Sequence, residues 1–278
     1  MDQQMLRLLP RRSGPGRRTA ARDARRLPLR SPSPPRGGES AVTLKVVGLR
    51  RFPVKSMLGE EHERLEFDAG GAIGDRRWAL RCADGKLGSG KNHPRFRRIP
   101  GLLEHYAAYD EDGLPVITAP DGATLRPGDP RVPERFGDGV ELVREAEDGS
   151  ESLKDVSPVS LIGTASLRAL GDLLGDADPV DVRRLRKNIV VETDEPWIEE
   201  DWIGREIVLG GGRGTAPLRL RGIKRVKRCV MVTQAQPGLP EDNRVLKTLT
   251  AARGMCIGIH TDVVTPAPLA LGDTVVVR

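Results

Sequence analysis

The chain has 278 residues, 38% of them hydrophobic but only 3% aromatic, which is enough for one large domain or two small ones with a sizeable core. A formal charge of +6 would suggest a nucleic-acid or membrane partner, but residues 1–40 hold ten Arg against Asp2, Asp23 and Glu39. The rest is electrically balanced, so no specific nucleic-acid binding is expected. No apolar run approaches the roughly 20 residues of a membrane span. Three separated cysteines, Cys82, Cys229 and Cys256, contain no C-x-x-C. They argue against a disulfide framework, a zinc knuckle or an iron–sulfur site and fit a reducing cytoplasm.

Residues 1–40 contain Arg11-Arg12, Arg17-Arg18, Arg25-Arg26 and a Ser/Pro run ending at Pro35. They lack the apolar periodicity that would offset their ordering entropy, and a disordered tail is expected. An organelle transit sequence, an upstream start codon and a nonspecific tether to anions each account for it. Next comes a β-rich run, Thr43 to Phe52, closed by Pro53, with further strands expected at 64–67 and 77–82. The run from Gly85 to Asn92 carries the G-x-x-x-x-G-K of a phosphate loop. However, Asn92 replaces the magnesium-binding hydroxyl, and Pro94 and Arg95 follow where a helix should begin. A Gly-rich hairpin turn is expected instead. From about Pro100 to Asp148, short apolar runs alternate with Asp112-Gly113, Asp121-Gly122, Pro127-Gly128 and Asp138-Gly139, a series of hairpins or loops. The polar stretch from Glu145 to Glu151 reads as a boundary between modules of residues 43–148 and 150–278.

In the second module Thr164 is a candidate N-cap, with Leu167, Leu170 and Leu174 at helical spacing behind it. Strands are expected at 188–192, 206–209, 219–223, 229–233, 255–264 and 274–277. A shorter helix should run through Val245, Leu246 and Leu249 and stop before Gly254. Many short strands, two helices and no regular βαβ alternation predict a mainly β or α+β barrel.

Cys229 draws attention because Lys227 and Arg228 precede it directly. Cationic neighbours generally favour a thiolate, which is both a better nucleophile and a soft ligand for a transition metal. A free cysteine is equally a common small core residue, and position alone leaves both readings open.

The segments Phe52-Pro-Val-Lys-Ser56 and Gly74-Asp-Arg-Arg-Trp78 resemble the N-terminal β-barrel domain of the MOSC superfamily. The segments Asp155-Val-Ser-Pro-Val-Ser-Leu-Ile162, Arg184-Leu-Arg-Lys-Asn-Ile-Val-Val-Glu192, Glu195-Pro-Trp197, Trp202-Ile-Gly204, Lys227-Arg-Cys229 and Leu271-Gly-Asp-Thr-Val275 resemble the MOSC domain itself. The match runs in order over roughly residues 43–278. It implies a MOSC-type β-barrel with a few helices plus a smaller N-terminal β-barrel domain, similar to the mitochondrial amidoxime-reducing component and its bacterial relatives. The resemblance further implies a molybdenum cofactor (molybdopterin), with Cys229 as metal ligand and catalytic residue. By the same resemblance Lys55, Ser56 and Arg76 would contact phosphate, Arg186 and Asn188 the pterin, and Arg228 would flank the ligand.

The implied activity is reduction of N-hydroxylated substrates, amidoximes or N-hydroxylated bases. Electrons would come from a separate donor protein: a ferredoxin, a flavodoxin or a cytochrome b5-like protein with its reductase. The alternative is a sulfur carrier or cofactor carrier that uses Cys229 without turnover. Pyridoxal phosphate enters only through sulfurase members of the family and is not expected from these residues. Taken singly, Lys55 and Arg76 read equally as solvated strand-edge charges and Arg186 as part of a basic face. Trp197 and Trp202 read as core or rim anchors. Two departures, Lys227 in place of a small hydroxyl residue and the turn Gln234-Ala-Gln-Pro-Gly-Leu-Pro240, leave the substrate range open.

Overall fold

A computed structural model of the chain describes residues 44–146, 153–154, 156–212 and 214–278. The expected tail and Asp155 lie outside these residues. Seven strands close into a barrel: β1 Leu44–Arg51, β2 Val159–Gly163, β3 Ile189–Val191, β4 Glu206–Leu209, β5 Leu218–Lys227, β6 Cys256–Thr265 and β7 Thr274–Val277. Around the barrel they run β1-β3-β2-β6-β5-β4-β7 and back to β1. Only the β2–β3 pair is parallel.

Closure rests on β1, which pairs with β3 on one side and β7 on the other, Leu49 opposite Ile189 and Leu44 opposite Val275. The barrel interior is mainly aliphatic: Val46, Leu49, Leu161, Ile207, Leu220 and Ile259 are all buried there. Val46 and Leu49 are three residues apart, whereas a regular strand returns to one face every two. A bulge between Val46 and Gly48 reconciles them. A Cβ on Gly48 would stand 3.1 Å from the Val190 side chain, so the missing side chain admits the neighbouring strand. The closing Leu271-Gly-Asp-Thr-Val275 segment is structural. Asp273 accepts the Ala270 N–H at 2.9 Å, and Gly272 donates to the Val46 carbonyl at 2.8 Å.

A second core, built from Val54, Met57, Leu80, Ile117, Leu125 and Leu142, belongs to the segment between β1 and β2. Its sheets are a meander of Tyr106–Tyr109, Pro115–Thr118 and Thr124–Leu125 and a four-stranded sheet through Trp78–Arg81. The four turn glycines expected from the sequence, Gly113, Gly122, Gly128 and Gly139, all take positive φ. The phosphate-loop lookalike splits in two. Gly85 turns a hairpin in which Cys82 N–H bonds Lys86 O at 2.9 Å, and Leu87–Ser89 is a strand.

Three helices complete the described residues: α1 Arg131–Phe136, α2 Thr164–Leu174 and α3 Arg244–Arg253. Helices α2 and α3 share an apolar cluster outside the barrel with Ile162, Val190 and Val232. Thr164 is the first helical residue, not the cap. β2 runs straight into α2 through Gly163, and the Thr164 hydroxyl instead pairs with the Thr193 backbone, accepting at 3.0 Å and donating at 3.2 Å. The run expected as a strand at 229–233 is a tight turn, Val230–Thr233. Arg228 N–H makes a backbone bond to Met255 O, and beyond it Thr233 Oγ1 folds back onto Val230 O at 2.8 Å. Val232 is buried in the α2–α3 cluster while Met231 turns to the cleft and Val230 to solvent, a division that periodicity cannot distinguish from a strand.

Trp202 is in the barrel core, and Trp197 packs at the helix cluster with the Arg253 guanidinium 4.4 Å from its ring. Ser166 fixes this segment by accepting from Trp197 N–H and donating to the buried Glu199 carboxyl, both at 2.8 Å. Burial pushes the Glu199 carboxyl up to about 7. Among the described residues no helix is long and apolar enough to cross a membrane.

Candidate functional site

The two cores meet along a cleft of about 330 Å³. Lys55, Ser56, Arg76, Arg186, Asn188, Arg228 and Cys229, the seven residues singled out from the sequence, all line it. Segments from both halves of the chain are thereby brought together. Each is held by identifiable local structure.

Lys55 and Ser56 occupy the corner of a turn closed by Met57 N–H to Val54 O at 3.3 Å. Ser56 has φ +64 and its hydroxyl donates to Ser89 Oγ at 3.4 Å. Lys55 is almost fully buried. Its Nζ donates to Leu153 O at 3.0 Å and lies 4.7 Å from the centre of the Phe96 ring. Arg76 follows the buried Asp75, whose carboxylate accepts the Phe52 N–H at 2.8 Å and also receives Arg76 Nη1. The Phe52 ring carries two guanidiniums, Arg76 at 4.9 Å and Arg186 at 4.3 Å. Stacking of this kind suits the flat, weakly hydrated guanidinium. Arg76 Nη2 donates to Arg186 O at 3.3 Å, and Arg186 Nη1 donates to Met57 O, tying the barrel to the second core.

Backbone strain gathers in the same place. Among the described residues five that are not glycine have positive φ, and three of them are Ser56, Arg76 and Arg186. Left-handed backbone costs an ordinary residue roughly 1–2 kcal/mol. It persists where surrounding structure over-determines it, as around ligand clamps.

Asn188 lines the cleft while serving the barrel seam. Its Oδ1 accepts from Ser160 N–H and Oγ at 3.1 and 3.0 Å, and its Nδ2 donates to Arg50 O at 3.3 Å. Cys229 is half-buried and extended, φ −137 and ψ −176, two residues beyond the end of β5, and its carbonyl starts the Val230–Thr233 turn. The other thiols are placed differently. Cys82 is buried in the second core, where burial pushes its thiol up, and Cys256 donates to Gly254 O at 3.5 Å. Gly90, between the cleft residues Ser89 and Lys91, packs against the turn after Cys229. A Cβ there would fall 2.3 Å from Met231 Sδ, and its carbonyl accepts from Gln234 Nε2 at 2.7 Å.

Two residues escaped the sequence reading. His260, on β6 opposite Ser160, lines the cleft, and its Nδ1 is buried without a hydrogen-bond partner. Burial, then Lys187, Lys224, Arg228 and Arg76, lower its imidazole to about 4, so it stays neutral at pH 7. Its one sequence signal was an imidazole among the small and aliphatic residues of Cys256–His260. Lys187, between Arg186 and Asn188, is fully buried. Its Nζ donates to Ile257 O at 2.8 Å, and burial holds it well below the usual lysine range.

Eight cations line the cleft, and no carboxylate among the described residues does. Low-dielectric walls bearing one sign of charge concentrate anions. The fold and the cleft define a β-barrel protein that presents one half-buried thiol in a cationic, partly strained pocket. Comparison with known families matches the MOSC N-terminal beta barrel domain to residues 43–153 and the MOSC domain to residues 148–276. The chain belongs to the MOSC-domain family and carries the MOSC N-terminal β-barrel domain. This family is associated with molybdenum-cofactor sulfurase-like and oxidoreductase proteins. Among solved structures the chain is similar to the YUAD protein from Bacillus subtilis, with 15% identity and a TM-score of 0.49 over 86% of this chain and 97% of that one. It is also similar to YiiM from Geobacillus stearothermophilus, with 13% identity and a TM-score of 0.31 over 44% of this chain and 54% of that one. No curated protein matches the chain.

Proposed function

We propose that the cleft holds a molybdenum cofactor through Cys229 and that the protein reduces N-hydroxylated compounds, amidoximes or N-hydroxylated bases, with electrons from a separate donor protein. The observation that carries this reading is a single half-buried thiol in a cleft lined by cations with no carboxylate among the described residues. The donor set suits a pterin-dithiolene group with a terminal phosphate. A thiol is a soft ligand, and Lys55 with the Arg76 fork supplies charge for a phosphate. The unpartnered, neutral His260 Nδ1 is open to a hydrogen bond from a heterocycle edge. Among the described residues no group of three His, Cys, Asp or Glu could hold a bare ion, so a metal here would bring its other ligands with it.

Bound there, the cofactor would supply two-electron removal of the N–OH oxygen, which leaves as water after uptake of two electrons and two protons. The chain's own residues bind and orient. Asp75 fixes the plane of Arg76, Phe52 spaces Arg76 from Arg186, and the Gly90–Gln234 contact keeps the loop carrying Lys91 against the Cys229 turn.

The test is co-expression with cofactor biosynthesis, elemental analysis for molybdenum, and reduction of benzamidoxime with a chemically reduced donor. The wild type should contain molybdenum and form benzamidine. Cys229→Ser should fold and lose both, while Cys82→Ser and Cys256→Ser keep them. Molybdenum without benzamidine would leave a carrier, and full activity in Cys229→Ser would reduce that thiol to packing.

A further inference from the structure

Many cations on the surface face carboxylates, Arg50 with Glu61, Arg97 with Asp84 and Arg244 with Asp242 among them. Three lysines beside the cleft do not. Lys91 and Lys227 line it, and Lys224 stands opposite His260, another lining residue, across β5 and β6. Among the described residues no carboxylate pairs with any of the three, and Lys224 and Lys227 are exposed. Lys91 Nζ rests 5.5 Å from the centre of the Phe96 ring, a contact that leaves its charge in place. Apolar surface accompanies these lysines. Val156, which lines the cleft, is 57% exposed, and Val230, the residue after Cys229, is 41% exposed.

We propose that Lys91, Lys224 and Lys227, with Val156 and Val230, form the docking face for a small acidic one-electron carrier protein. This rests on the reading of the cleft as a reductase site and gives its donor a place and a charge. Ammonium groups around exposed valines match a protein interface, in which a charged rim surrounds apolar contacts. A phosphate backbone would use the cations and leave the valines bare. Gln234 Nε2 holds the Gly90 carbonyl at 2.7 Å, so Lys91 stays beside the turn that carries Val230. A carrier seated here lies against the turn that begins at the half-buried Cys229. Two reduced carriers in succession supply the two electrons, and two protons from water complete the loss of the N–OH oxygen as water. Electron-carrier contacts are small, below about 1,200 Å², and complementary charge mainly speeds their encounter, so a face of few groups suffices.

Surface plasmon resonance at low ionic strength measures binding of three acidic carriers in their oxidised forms, a plant-type ferredoxin, a flavodoxin and a soluble cytochrome b5 domain, with a short single-stranded oligonucleotide as the anionic comparator. At least one carrier should bind the wild type. Its affinity should fall by about tenfold or more in K91E/K224E/K227E and on raising salt. Val230→Ser should weaken it a few-fold at every salt concentration, because that contact is apolar. K247E, which reverses an exposed lysine of α3, should bind as the wild type does. Binding by none of the carriers, binding that survives in the triple variant, or an oligonucleotide that binds as tightly as the carrier and is lost in the same variant would overturn the docking face. In turnover the KM for the carrier should rise about tenfold in the triple variant, well beyond any change in the KM for uncharged benzamidoxime. A carrier KM that does not move would overturn the docking face and leave the reductase reading intact. If the wild type forms no benzamidine with any carrier or with a chemically reduced donor, the reductase reading fails, and the binding measurements alone then decide whether the docking face exists.

Discussion

Asp75 should be the residue on which the geometry of the cleft depends most. It is fully buried, it accepts the Phe52 N–H at 2.8 Å, and it receives Arg76 Nη1. Asp75→Asn keeps an acceptor for Phe52 but removes the charge that faces Arg76, so it forfeits a charge-assisted hydrogen bond, about 1.5–3 kcal/mol. The Arg76 side chain is 19% exposed and water softens its loss, which favours the lower half of that range. Arg76→Gln does the reverse and strands a carboxylate with no access to water. Breaking a buried pair in this way costs about 3–5 kcal/mol. The double variant is neutral at both positions and should cost clearly less than the sum, with a coupling of about 1.5–3 kcal/mol. Urea denaturation of the four proteins measures this, provided the dependence on denaturant stays the same across the set. Effects that add to within about 0.5 kcal/mol would show that the two side chains do not act as a pair and would refute the reasoning.

Ser56→Gly should relieve the φ of +64 and raise stability by about 1 kcal/mol, visible as a higher Tm, while weakening binding of inorganic phosphate through loss of the hydroxyl. Gly90→Ala would place a methyl 2.3 Å from Met231 Sδ and 2.4 Å from Gln234 Oε1. It should cost about 1–3 kcal/mol in denaturation and slow benzamidoxime reduction by loosening the loop beside Cys229. The His260 imidazole should titrate near pH 4 by NMR, where an ordinary histidine titrates near 6.5. The unfolded chain then takes up a proton that the folded protein refuses, so this contribution is complete above about 6.5 and is lost as pH falls toward 4. His260→Gln should flatten stability across that window, and an imidazole that titrates near 6.5 would contradict the burial described here.

Much of the cleft was readable because short motifs in a fixed order each carry a chemistry-bearing residue. Lys55, Arg76, Arg186 and Cys229 lie far apart in the chain yet line one pocket. What the sequence did not reveal was decided by long-range packing. The partnership of β1 with β7 joins residues near opposite ends of the chain, and nothing local in either strand names the other. α1 leaves little trace in the sequence because it is only six residues long with Pro133 in its first turn, too short for periodicity to register. The turn after Cys229 is rich in Val, Met and Thr and carries a strand's composition, and only its burial beside α3 selects the other conformation. His260 and Lys187 were missed for a related reason. A lone imidazole or amine is ordinarily a surface group, and its enclosure becomes visible only once β2 lies between β6 and β3.

The seam between β1 and β7 also sets the order of events during synthesis. The ribosome makes Leu44–Arg51 well before Thr274–Val277, so a nascent chain must leave the first strand's ladder edge unsatisfied until β7 has emerged. The polypeptide from Val54 to Leu142 has its own apolar centre and can collapse in the interval. Assembly of the larger body waits for β7, which marks this as a slow-closing topology whose open edge is exposed to mispairing in the meantime.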